Sequence, residues 1–261
     1  MVVEWQPACS ALIPMALLAT GVWILSLIRN DVGIIDSFWS LFFVTALFFW
    51  IGPNPEFTPR LLLSAGLVVT WALRLSVYLT FRNWGKPEDR RYQEIRRRNQ
   101  PFYGIKSLFY VFYLQVILAW LVALPLLPAV KSGAPLGIWD VIGAALFIAG
   151  LVIESIADTQ MARFKASAPP KGSVLDQGLW RYSRHPNYFG EALLWWGFIL
   201  ITWASGGSHW LILSPLFMTF LLMKVSGIPL LEADLIKRSP AYRRYLQTTS
   251  SFLPRPPKES P

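Results

Sequence analysis

The sequence predicts an all-α, polytopic membrane protein with seven transmembrane helices, and three observations predict it. Of the 261 residues 54% are hydrophobic, including 13 Trp and 17 Phe, and the mean hydropathy is +0.42, well above the balance of a water-soluble domain. Apolar runs of about 17 to 25 residues, the length that crosses a bilayer core, recur seven times, at roughly 9–28, 34–52, 60–80, 108–130, 138–157, 188–204 and 208–232. The basic residues of a chain with net charge +9 fall in the gaps between these runs. Nucleic acid would need them on one soluble face, so the lipid bilayer is the expected partner and no nucleic acid is.

Taken in order, the first run follows Glu4 with no Lys or Arg before it, so it lacks the charged leader of a cleaved signal peptide and is expected to be a retained span. Asp36 opens the second run, and Arg74 with Tyr78 lies toward the end of the third. The loop from Arg82 to Lys106 contains Pro87-Glu-Asp-Arg-Arg-Tyr-Gln-Glu-Ile-Arg-Arg-Arg98, acids early and arginines late, as the dipole of a short helix prefers. It is either a lid with Arg91 solvated or a basic helix on anionic headgroups. The fifth run ends with Glu154 and Asp158, after which Pro169-Pro170 argues against continuous helix. The sixth is short and Gly207 follows it in a tight turn; the seventh carries Lys224 and Glu232. A tail from Glu232 to Tyr245 reads as helical, interrupted near Pro240, with Tyr242, Arg243 and Tyr245 forming an aromatic-cation group suited to a nucleotide.

Positive charge orients the bundle. With the N-terminus outside and the C-terminus cytoplasmic, Arg29, eight basic residues from Arg82 to Lys106, five from Arg163 to Arg184 and six from Lys237 to Lys258 lie inside, 20 of 24 in all. Only Arg60 and Lys131 lie outside. The setting is a bacterial inner membrane, or the endoplasmic reticulum in a eukaryote. Asp36, Arg74, Tyr78, Glu154, Asp158, Asn187, Glu191, Lys224 and Glu232 then gather near the inner side, as a wet site or as a structural ion-pair network, because isolated charges in lipid are expensive. One cysteine, Cys9, excludes an internal disulfide, and two histidines, His185 and His209, argue against a zinc site, so no metal is expected.

The segment Gly178-Leu-Trp-Arg-Tyr-Ser-Arg-His-Pro-Asn-Tyr-Phe-Gly-Glu191 carries the chemistry. Pro186 suits a first helical turn, where orphan N–H groups and the dipole favour an anion. Arg181, Arg184 and His185 stand just ahead of it and offer a charged fork and an imidazole to a phosphate-sized target. The alternative is that Arg181, Arg184 and Tyr182 are interfacial anchors of a membrane helix, a reading that Glu191 weakens. Asn187 and Glu191, spaced i, i+4, share a face and offer an amide and a carboxylate to a ligand.

LDQGLWRYSRHPNYFGE, then two apolar runs, LLEADL and SPAYRRYLQTTSSFLP resemble the steroid 5-alpha-reductase family, in particular its bacterial branch. The likeness is specific over residues 154–254. It implies a single seven-span domain, 1–261, whose C-terminal part, 154–254, binds NADPH, with a sterol-like or isoprenoid substrate entering from the bilayer. The family's cofactor residues fall on Asp158, Lys165, Asn187, Glu191 and Arg243; Arg74 resembles the arginine of its third span. Arg181, Tyr182, Arg184, His185, Tyr188, Glu232 and Tyr242 complete the expected cofactor set. The family's Gln-Glu pair and tyrosine, which polarise the substrate ketone, are matched only by Asp36 and by Trp71 at the tyrosine's place, so Tyr78 or protonated Asp36 is the expected acid. The implied reaction is reduction of a carbon–carbon double bond conjugated to a ketone, hydride to the β carbon and a proton to the product. Two other readings stand beside it. Arg184, His185, Pro186, Tyr188 and Gly190 with a later acid near Glu232 equally fit S-adenosylmethionine-dependent membrane methyltransferases of the isoprenylcysteine and phospholipid type, and a non-catalytic lipid or sterol binder would retain the fold.

Overall fold

In a computed structural model the described residues are 5–225, 228, 232, 235–236 and 239–258; they are helical with irregular connections, and no strand occurs among them. Five segments are long and apolar enough to cross a membrane: Gln6–Arg29, Val32–Ile51, Pro59–Asn83, Tyr103–Ala123 and Ile138–Ala166. They answer to the first five expected runs. The sixth is a helix of 19 residues, Pro186–Ala204, about 28 Å long at 1.5 Å per residue, with Asn187 and Glu191 diluting its apolar start. The seventh is a shorter apolar stretch, His209–Val225. Glu4, the LLEADL motif apart from Glu232 and Leu235, and Lys237 lie outside the described residues.

The helices are α1 (Trp5–Cys9), α2 (Leu12–Arg29), α3 (Ile35–Ile51), α4 (Pro59–Asn83), α5 (Arg90–Arg98), α6 (Tyr103–Ser107), α7 (Leu114–Ala123), α8 (Leu126–Lys131), α9 (Ile138–Ala166), α10 (Pro186–Ala204), α11 (Leu213–Phe220) and α12 (Pro240–Thr248). A π-helical stretch, Leu108–Tyr113, joins α6 to α7. The fourth span therefore starts earlier and stops sooner than its hydropathy predicts. It breaks ahead of Pro125, which lacks the N–H a continuing helix needs. The fifth runs on through Asp158 and Lys165 to Ala166, so these two side chains, seven residues apart, sit on one helical face. Pro240 begins a helix instead of interrupting one: Ser239 Oγ accepts from Tyr242 N, and Pro240 occupies the first turn.

Two compact units emerge. One comprises the chain up to Asp140 with Ile201–Ser214. Its core holds Met15, Phe42, Phe43, Trp50, Trp71 and Phe112, all fully buried. Two of its tryptophans satisfy their N–H groups on backbone carbonyls of α1, Trp50 Nε1 and Trp120 Nε1 both reaching the Ala8 carbonyl, the latter at 2.8 Å. One edge is pinned by Arg60 and Asp140, each 1% exposed. Arg60 Nε and Nη2 meet the two Asp140 oxygens at 2.8 Å, and its remaining donors go to Ser132 Oγ and the Ala134 and Pro135 carbonyls. A buried pair persists only when its donors are satisfied in this way.

The other unit comprises Val141–Leu200 and the chain from Pro215. Here α9 and α10 approach backbone to backbone. A Cβ at Gly150 would stand 2.5 Å from the Gly190 carbonyl oxygen, and one at Gly197 would stand 2.6 Å from Gly143 O. Only glycine fits at such a crossing. Phe147 and Phe198 close the same interface edge to face at 6.2 Å.

Candidate functional site

In the unit built on α9 and α10, a short 3₁₀ turn, Gly178–Arg181, precedes α10. Leu179 N donates to Gln160 Oε1 at 3.0 Å and Trp180 Nε1 to the Ala157 carbonyl at 3.0 Å, fastening the turn to α9. The tail lies along its other side: Ser183 Oγ donates to the Phe252 carbonyl at 2.8 Å, Arg184 N to Ser250 O at 2.8 Å and Arg255 N to Tyr182 O at 2.9 Å. These fastenings leave Arg184 and His185 buried as α10 begins at Pro186.

Their common partner is Glu232. Oε1 accepts from Arg184 Nε at 2.7 Å and from Tyr242 Oη at 3.3 Å, and it lies 3.0 Å from His185 Nε2. Oε2 accepts from Arg184 Nη2 at 3.3 Å. Burial alone would raise the carboxyl, but the His185 and Arg184 hydrogen bonds and the arginine charge outweigh it and hold it down at about 2. Burial and the Glu232 charge push the Tyr242 hydroxyl up, so at neutral pH it remains a donor. Arg184 Nη1 reaches the Leu246 and Thr249 carbonyls at the end of α12, where a cation suits the helix dipole. The Tyr188 ring stacks on His185 at 5.5 Å, nearly parallel.

One turn into α10, Asn187 Nδ2 donates to Asp158 Oδ1 at 3.2 Å. Its Oδ1 is buried with no hydrogen-bond partner among the described residues. An amide oxygen so placed forfeits the free energy of a hydrogen bond and is the natural acceptor for a ligand N–H. Glu191, buried, accepts from Trp195 Nε1 at 3.3 Å.

The second polar cluster lies in the other unit, at the start of α3. Asp36 Oδ1 accepts from Tyr92 Oη at 2.5 Å, and Oδ2 accepts from Arg91 Nη2 at 3.2 Å. Gln115 Nε2 donates to Tyr92 Oη at 3.3 Å. Burial first, then the Asp36 charge, pushes the Tyr92 hydroxyl well above its ordinary value. Helix α5 is capped by Asp89, whose carboxylate accepts from Arg91 N, and is tied to the chain before α3 through Glu88, which accepts from Val32 N at 2.8 Å and from Arg96 Nη2 at 2.8 Å. Arg91, expected to be solvated, is instead an Asp36 partner with 29% of its side chain exposed.

Tyr78 lies between the Arg74 and Arg82 guanidinium groups, at 5.5 and 5.8 Å. Trp71, at the place of the resembled family's tyrosine, is fully buried against Phe43, edge to face at 5.1 Å. Lys165, Arg181, Tyr182 and Arg243 are exposed, and Arg243 Nε donates to Ile236 O at 3.3 Å. Sequence reasoning passed over Tyr92 and Gln115. The usable signal was that Tyr92 and Ile95 are the only apolar positions of Arg-Arg-Tyr-Gln-Glu-Ile-Arg-Arg-Arg, three apart and therefore on one inward face.

A family model described as Protein of unknown function (DUF1295) matches residues 22–249, a stretch that holds both clusters. The chain belongs to that family. It is a steroid 5-alpha-reductase-like family. Within the wider relationships, the chain is 28% identical over 280 residues to an uncharacterised protein of Schizosaccharomyces pombe, covering 96% of this chain and 80% of that one. It is 38% identical over 68 residues to steroid 5-alpha-reductase DET2 of Arabidopsis thaliana, 26% of each chain. The full-length relative is fungal, so the comparison supports the family and not its bacterial branch. No solved structure matches.

Proposed function

We propose that this DUF1295 member is a seven-span, NADPH-dependent membrane reductase acting on a carbon–carbon double bond conjugated to a ketone in a steroid-like or isoprenoid lipid, with the N-terminus outside and the C-terminus cytoplasmic. The observation that carries the cofactor assignment is the buried Asn187 Oδ1 at the first turn of α10, without a hydrogen-bond partner among the described residues, in a family that is steroid 5-alpha-reductase-like. That oxygen suits the N–H of a nicotinamide carboxamide, with Asp158 fixing the Asn187 amide and Glu191 following one turn later. The exposed cations Lys165, Arg181 and Arg243 suit the phosphates and favour NADPH over NADH.

Bound NADPH would supply a hydride for the β carbon of the enone. The protein's own contribution is the acid. For the acid, expected at Asp36 or Tyr78, we propose the Asp36 cluster: Tyr92 Oη donates to Asp36 Oδ1 and accepts from Gln115 Nε2, so the pair holds one proton on a hydroxyl that burial keeps un-ionised. Arg184 and His185 act through Glu232 to hold the α10 start in register with the tail, which makes them positioning residues in this reading.

The convergence of Arg184 and His185 on Glu232 favours one competing reading, an S-adenosylmethionine-dependent methyltransferase, because those are the residues its motif shares. Equilibrium binding of NADPH, NADH and S-adenosylmethionine to the detergent-purified chain separates them. The reductase reading expects NADPH to bind at least tenfold tighter than NADH. Binding of S-adenosylmethionine without NADPH would move the assignment to methyl transfer.

A further inference from the structure

Helix α5 turns two different faces to its surroundings. Toward the protein it sends Tyr92 to Asp36 and Arg96 to Glu88, while Arg91, partly exposed on the flank it shares with Arg98, also reaches Asp36. Away from it, Arg97 and Arg98 are 77% and 75% exposed and share one counter-charge, Glu94. Two guanidinium groups on one carboxylate leave a net positive edge.

That edge does not stand alone. At the same end of this unit α2 finishes, α4 finishes and α6 starts, and each contributes an exposed apolar side chain: Ile28 from α2, Phe81 from α4 with Trp84 just after it, and Phe102 with Ile105 around the start of α6. Arg29 lies over the Trp84 ring at 5.2 Å. Large aromatics and basic residues interleaved at the ends of membrane-spanning helices fit the headgroup layer, where rings meet acyl chains and cations meet phosphate. From Arg82 to Lys106 eight basic residues face three acids, Glu88, Asp89 and Glu94. A neutral headgroup would leave that surplus uncompensated.

We infer that the exposed edge of α5, with Arg29 and the aromatic fringe of Phe81, Trp84 and Phe102, is a binding site for an anionic phospholipid headgroup, and that the bound lipid holds α5 seated over Asp36. The acyl chains lie along the fringe while the phosphodiester is met by Arg97 and Arg98, guanidinium forks that match phosphate geometry. Because Tyr92 lies on the opposite face of the same helix, and Arg91 lies one heptad before Arg98 and bridges that edge to Asp36, the charge of the surrounding lipid sets how firmly the Asp36 cluster is closed. This inference stands independently of the reductase reading.

The test uses the full chain in nanodiscs of phosphatidylcholine with or without 30% phosphatidylglycerol. Two readouts are taken: phosphatidylglycerol retained on detergent extraction, by native mass spectrometry, and the alkylation rate of Gln93→Cys on α5 in a Cys9→Ala background. The parent is expected to retain phosphatidylglycerol and to be alkylated at least threefold more slowly in the anionic discs. Arg97→Gln/Arg98→Gln should lose both effects, Arg97→Lys/Arg98→Lys should keep most of the retention, and Arg244→Gln/Lys258→Gln, which removes the same charge from the exposed tail, should keep both. Equal retention and equal protection in the two glutamine double variants would overturn the site, as would protection produced by inorganic phosphate in phosphatidylcholine discs.

Discussion

The two polar clusters use nearly the same side chains to opposite ends. Each centres on one carboxylate with an arginine and a tyrosine: Glu232 with Arg184 and Tyr242, and Asp36 with Arg91 and Tyr92. At Glu232 the arginine spends itself on the carboxylate and on two backbone carbonyls, and His185 joins it. The acid is locked in its ionised form and the α10 start is locked to the tail. At Asp36 the arginine is shared with Asp89, a third of its side chain or less is exposed, and the shortest bond is to a tyrosine hydroxyl. The first arrangement builds rigidity. The second holds a proton next to a carboxylate on a helix that other groups can tighten or loosen.

The largest expected effect breaks the comparison on the Glu232 side. Removing a carboxylate that two buried basic side chains depend on costs about 3 to 5 kcal/mol, so Glu232→Ala should lower unfolding stability in detergent by that order, against about 1 to 2 kcal/mol for Asp36→Ala, whose arginine retains Asp89. Similar losses in both would erase the distinction. Acid titration of the parent sharpens it. The Glu232 carboxyl is held at about 2, below its ordinary 4.5, so its contribution is fully present above pH 4.5 and disappears as pH falls toward 2. Glu232→Gln should lose that part of the acid dependence.

Next in size is Tyr92→Phe. General acid catalysis contributes on the order of 10² to 10⁴-fold, so turnover of an enone lipid should drop at least about a hundredfold while Tyr78→Phe loses less than about threefold. The reverse order would return the acid role to α4. The smallest effect is Arg91→Ala. A pair this exposed contributes under about 1 kcal/mol, and its removal should leave cofactor affinity within twofold; a larger loss would mean that α5 and the α10 start are not separable in function.

Hydropathy and charge are local properties, which is why the first five spans, the α5 dipole and the α10 start at Pro186 were legible from residue patterns alone. Contacts between distant segments were not. Tyr92 meets Asp36 across 56 positions and is hidden among arginines that look uniformly solvated. Five of the nine residues of α9 beyond 157 are polar, three of them charged, so the stretch falls outside an apolar run although it continues the helix. Gly150 and Gly197 carry no signal as single letters, and only the backbone approach of α9 to α10 gives them a reason. Arg184 and His185 were visible as a motif, but that Glu232, 48 and 47 positions away, is their counter-charge was not.

The measurement that bears most directly on the division of labour is an NADPH titration run side by side on the purified parent, Asn187→Ala and Tyr92→Phe. Losing a buried hydrogen bond to the cofactor should weaken Asn187→Ala by more than tenfold, about 1.4 kcal/mol or more, while Tyr92→Phe binds within twofold of the parent. If Asn187→Ala binds like the parent, or if both variants weaken alike, the assignment of cofactor to the α10 start and of proton to the Asp36 cluster is contradicted.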